Sequence, residues 1–119
     1  MRPHQKLIVW QEAMALIKSI YQATMLFPDT EKFGLTSQLR RASVSIACNI
    51  AEGAARKSKK EFIQFSYISS GSISEVDTLL IISKELGLLK ESEYNKLVLS
   101  SDKVSALLAG LIRKLSSST

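Results

Sequence analysis

The chain has 119 residues, 45 per cent of them apolar, with only two prolines and five glycines. That is enough to bury a core in one domain, 1–119, and too few turn formers for a hairpin-rich sheet protein. Its single cysteine, Cys48, excludes an internal disulfide, and the formal net charge of +5 points toward anionic partners.

The first helix is predicted over about 8–26. Leu7, Trp10, Met14, Ile17, Tyr21 and Thr24 recur at three- and four-residue spacing, and Ala13, Leu16 and Ile20 widen the apolar arc. Phe27-Pro28 ends it, because proline disfavours helical geometry in the residue before it and donates no backbone hydrogen bond. Asp29 to Phe33 forms one short turn closed by Gly34.

The second helix is predicted over about 37–56, capped by Thr36 or Ser37. Leu35, Leu39, Ala42, Ile46 and Ile50 make its core stripe, and Val44, Cys48, Ala51 and Ala55 make a second stripe of small apolar groups on another face. Two separate apolar stripes imply two sets of neighbours, so the second stripe is expected at an interface between subunits. Packing rather than nucleophilic chemistry is expected of Cys48, which has no histidine near it in sequence. Gly53 weakens the last turn, and Ser58 with Glu61 forms a capping box that starts the next helix.

The third helix, over about 59–86, shows heptad spacing in Phe62, Phe65, Ser69, Ser72, Val76, Leu79, Ser83 and Leu86. At about 1.5 Å per residue it is roughly 42 Å long. Its middle, SYISSGSIS, is poor in helix formers, but the apolar spacing continues and small side chains let a neighbouring helix approach closely. Gly87 supplies a stop. The fourth helix, over about 91–115, repeats Tyr94, Leu97, Ser101, Val104, Leu108, Leu111 and Leu115, with fraying expected from Ser116 to Thr119. Four helices joined by short connections predict an all-α, antiparallel up-down-up-down four-helix bundle. The N-terminal MRPHQKLIVWQE lacks the features of a signal peptide, and no apolar run reaches the roughly 18 residues of a membrane span; a cytoplasmic location without a membrane partner is expected.

The charge is unevenly placed. From Thr36 to Lys60 stand Arg40, Arg41, Arg56, Lys57, Lys59 and Lys60 against the single anion Glu52, while the rest of the chain holds ten charges of each sign. These six cations are the candidate nucleic-acid-binding residues; the alternative is a solvated face. They would act as sequence-independent phosphate contacts, and base stacking is not expected because Phe62 and Phe65 read as core.

Asn49, Glu52, Ser72 and Glu75 form a second candidate set. They could bind an anion or substrate, but a structural polar network involving Arg40, Arg41 or Arg56 is preferred, because buried polar groups require partners. One histidine, His4, and one cysteine provide too few ligands for a metal site, and no cofactor is expected. GAARKS, at Gly53 to Ser58, lacks the second glycine and the preceding strand of a phosphate-binding loop. No catalytic residue is assigned.

The run LTSQLRRASVSIACNIAEGAARKSKKEFIQF, followed by Gly71-Ser72, Glu75 and ELGLL, resembles the bacterial four-helix-bundle proteins first noticed in intervening sequences of 23S ribosomal RNA genes. LIVWQEA and FPDTEKFGL extend the resemblance over nearly the whole chain, with SIxxNIAEG at Ser45 to Gly53 and GSxxE at Gly71 to Glu75 as its most specific motifs. The resemblance implies a ring-like homopentamer. It also implies a likeness to the accessory protein of diversity-generating retroelements, a basic pentamer that works with a reverse transcriptase and nucleic acid. Ser69-Ser70 departs from the family pattern, where an alanine followed by a larger or charged residue is common, and this weakens any expectation of charge from the third helix.

The leading expectation is therefore a non-enzymatic, oligomeric accessory protein that binds RNA or DNA. The alternative is a structural or adaptor oligomer with a protein partner.

Overall fold

The apolar periodicity closes into four helices packed around one another. The computed structural model describes residues 1–117 and contains α1 (Ile8–Thr24), α2 (Leu35–Ala54), α3 (Lys59–Glu85) and α4 (Glu91–Ser117), with short 3-10 turns at Pro3–Lys6 and Asp29–Glu31. The fold is an all-α four-helix bundle, 47 × 22 × 22 Å. Neighbouring helices pack as α1 with α2, α2 with α3, α3 with α4 and α4 with α1, making a four-sided prism. Short connections reverse the chain at each step.

Each helix supplies large side chains to the axis. Leu16 and Ile20 of α1, Leu39, Ile46 and Ile50 of α2, Val76 and Leu80 of α3, and Val104 and Leu108 of α4 are essentially inaccessible. Each such burial stabilises by about 1.5–3 kcal/mol relative to exposure. In α1 the deepest residues are Val9, Ala13, Leu16, Ile20 and Thr24. Trp10, Met14 and Ile17, expected to lead the core stripe, are only half-buried because that arc turns toward the seam with α2.

The α2–α3 contact is built from small groups. Ser66, Ser69, Ser72 and Ser83 of α3 are buried, and Ser69 Oγ donates across the interface to the Ile46 carbonyl at 2.9 Å. Ser66 and Ser83 satisfy their hydroxyls on the carbonyls one turn earlier, at 2.8 Å each. Gly53 of α2 lies directly beneath Phe62 and Phe65, so those rings are half-buried lids over a glycine rather than central core. Ser69, the departure from the family pattern, is thus a buried interhelical tie.

Helix boundaries follow local chemistry. The second helix starts at Leu35, two residues before Ser37, because Glu31 Oε1 accepts the Leu35 N–H at 3.1 Å and caps the helix from the preceding turn. Ser58 Oγ accepts the Glu61 N–H at 3.2 Å at the start of α3. Gly87, at φ +77°, ends that helix, and the Leu88 N–H reaches back to the Ser83 carbonyl at 2.9 Å. Ser116 and Ser117 complete α4 rather than fray; the remainder of the expected tail, 118–119, lies outside the described residues. Among the described residues no helix is long and apolar enough to cross a membrane.

Candidate functional site at the basic end of the bundle

The antiparallel topology brings the start of α1, the end of α2, the start of α3 and the end of α4 to one end of the prism. Lys6 and Leu7 share a surface hollow with Leu107 and Leu111, whereas Ala23 and Leu26 meet Glu93 and Leu97 at the other end. Arg56, Lys57, Lys59 and Lys60 occupy the first of these ends and are exposed. Arg56 is held in place: its guanidinium lies 4.9 Å above the Phe65 ring and bonds Glu52 Oε1 at 3.2 Å. Both partners of that pair are about half exposed, so it orients Arg56 more than it stabilises the fold.

Arg40 and Arg41 do not join this cluster. Arg56 stands fifteen positions after Arg41, just beyond the end of α2, roughly 22 Å away along the helix direction at about 1.5 Å per residue. Arg40 Nε donates to Thr24 Oγ1 at 2.9 Å, and its terminal nitrogen donates to the Tyr21 carbonyl at 3.3 Å. The guanidinium also stacks 4.4 Å from the Tyr21 ring centre. It therefore clamps the C-terminal turn of α1, sharing the Tyr21 carbonyl with the Met25 N–H at the end of the helix dipole that favours a cation. Arg41 is exposed and shares an open hollow with Gln38, Ser45 and Glu75, without an ion pair to Glu75. Closeness in sequence grouped six cations that the helix holds in three places.

The expected polar network forms in part. Asn49 Nδ2 donates to the Ser45 carbonyl at 2.9 Å and to Ser45 Oγ at 3.0 Å, and Ser45 Oγ lies 3.0 Å from Ser72 Oγ. Asn49 and Ser72 are thus joined through Ser45. Ser45, outside the expected set, supplies the link. Glu52 pairs outward with Arg56, and Glu75 is exposed; neither is drawn into the network.

The second stripe of α2 faces away from the axis. Val44, Cys48 and Ala51 line an apolar groove of about 360 Å³ with His4, Trp10, Met14 and Ile17. The His4 and Trp10 rings meet edge to face at 5.1 Å at its margin. Cys48 is exposed on this groove rather than buried, because α1 does not extend over it, and Ala55 is exposed beyond the end of α2. Among the described residues no three His, Cys, Asp or Glu side chains are grouped to hold a metal ion.

The charge balance now has a spatial form. The end formed by residues 1–7, 52–61 and 113–117 carries eight Lys and Arg against Glu52 and Glu61. The middle and opposite end together carry eight cations and nine anions. The entire positive excess therefore lies at one end.

Residues 5–110 match the 23S rRNA-intervening sequence protein family. The chain belongs to that family. A solved structure with a TM-score of 0.79 and 20% identity, covering 88% of this chain and 98% of the other, is a protein of unknown function from the S23 ribosomal protein family of Bacteroides thetaiotaomicron. That likeness carries the bundle fold. No curated protein matches this member of the 23S rRNA-intervening sequence protein family.

Proposed function

We propose that this member of the family is a non-enzymatic, oligomeric accessory protein that binds the phosphate backbone of RNA or DNA through the basic end of the bundle. The observation that carries this reading is the gathering of the whole charge excess at one end. Clustered Lys and Arg release condensed counterions from a polyanion, giving affinity without base readout. Arg56, Lys57, Lys59 and Lys60 form the central contact. Arg40, committed to α1, and Arg41, far along α2, lie outside it.

Titration of labelled RNA and DNA at rising salt tests the proposal. Binding should weaken steeply with salt and largely disappear when Arg56, Lys57, Lys59 and Lys60 are replaced by glutamine. No binding at low salt would reject it.

The apolar groove favours a second reading, in which the protein is an adaptor oligomer with a protein partner. Recovery of one stoichiometric protein partner, insensitive to nuclease, would favour that reading. Homo-oligomerisation, with five copies by family resemblance, fits both readings and would cover Val44, Cys48 and Ala51.

A further inference from the structure

We infer that the basic end is a two-edged clamp for a nucleic-acid duplex, in which Lys6, Arg113 and Lys114 form the second edge. The inference rests on the proposed nucleic-acid reading and adds residues from the two extremities of the sequence.

Two contacts fix the register of α4. Ser101 Oγ donates to Asp77 Oδ1 at 2.6 Å, and Lys103 Nζ lies 3.0 Å from Glu12 Oε1. Counting outward from the Ser101–Asp77 contact along antiparallel helices, Arg113 stands about level with Phe65 on α3. Phe65 is the ring under the Arg56 guanidinium, so Arg113 and Arg56 stand at similar heights. Lys6 independently meets α4 in the hollow with Leu107 and Leu111. Lys6, Arg113 and Lys114 are all exposed, and none forms an ion pair among the described residues.

Arg113 and Lys114 stand on α4 with Lys6 beside that helix, while Arg56 to Lys60 occupy the opposite α2–α3 side; Arg2 lies apart, because the Pro3–Lys6 turn packs on α1 and α2. Packed helix axes stand about 8–10 Å apart, and long side chains extend the separation of the two cation rows. Duplex grooves are about 6 and 12 Å wide in B-form DNA, so two rows at this spacing can address the phosphates on both sides of a groove. A single strand offers one backbone and engages one row at a time. The 22 Å width of the bundle end also spans about 13 duplex phosphate charges, at one per about 1.7 Å, so eight cations do not exhaust the available partners.

The test uses full-length protein with duplex and single-stranded oligonucleotides of equal length, titrated at several salt concentrations. Replacing Lys6, Arg113 and Lys114 with glutamine should reduce the duplex salt slope by about 0.9 for each phosphate that the variant no longer neutralises. It should weaken duplex binding at least tenfold more than single-strand binding. Charge reversal confined to α4, Arg113→Glu with Lys114→Glu, should give the same selective loss, with helical circular dichroism confirming the fold.

An unchanged duplex slope, beside normal wild-type binding and a strong effect from the Arg56 to Lys60 substitutions, overturns the second edge and leaves the nucleic-acid reading intact. Equal losses on duplex and single strand overturn the clamp geometry. No wild-type binding at low salt overturns both.

Discussion

Gly53 lies in the last turn of α2 and Gly71 in the middle of α3, and a methyl group would meet opposite surroundings at the two positions. At Gly53 a Cβ would stand 2.9 Å from Phe62 Cδ1 and 2.9 Å from the Phe65 Cβ, whereas at Gly71 nothing lies within 4 Å. Helix propensity alone favours alanine over glycine, by about 1 kcal/mol in a helix interior such as that around Gly71. Gly53→Ala should nevertheless lower stability by about 1–3 kcal/mol, because Phe62 and Phe65 must move. Gly71→Ala should raise it by about 0.5–1 kcal/mol. Urea unfolding midpoints measure both, and a fall for Gly71→Ala would show that this open position is covered in the assembled protein. Arg40 carries the same lesson for charge: what it touches, rather than its neighbours in sequence, makes it a clamp on α1.

Among the elements, the α2–α3 seam distinguishes this bundle from one filled only with leucine. The buried serines keep α3 close to α2, and the Ser69 hydroxyl bonds the Ile46 carbonyl across the contact. Ser69→Val should cost about 1–3 kcal/mol by overpacking. Ser69→Ala should cost only about 0.5–1.5 kcal/mol, the net worth of one hydrogen bond. Thermal unfolding of the two variants separates spacing from bonding. The helices and the α2 core stripe are legible in sequence because a 3.6-residue period needs only local information. Which arc of α1 goes deepest is less legible: Trp10, Met14 and Ile17 compete with Ala13, Leu16 and Ile20, and the outcome depends on α2 and α4. The site divides likewise. Arg56 to Lys60 are adjacent in sequence, but Arg113 meets their level only through the register of α4.

For the whole molecule, the groove on the flank and the charge at the end set separate tasks. If copies associate through the groove, light scattering at micromolar concentration should give an oligomer mass, and Ala51→Glu should shift it toward the monomer. Cys48, exposed on the single chain, should then react with a thiol reagent more slowly in the assembled protein than in that variant. A monomer mass for the native protein, or equal labelling rates, would argue against the groove as the contact. The uneven charge also governs the approach to a polyanion. At physiological salt the field fades over about 8 Å, much less than the 47 Å length of the bundle. The attraction therefore acts on one end and exerts a torque, turning the rod end-on before contact while leaving the far end almost outside the field. Salt would then slow productive encounters by weakening that alignment as well as the pull itself.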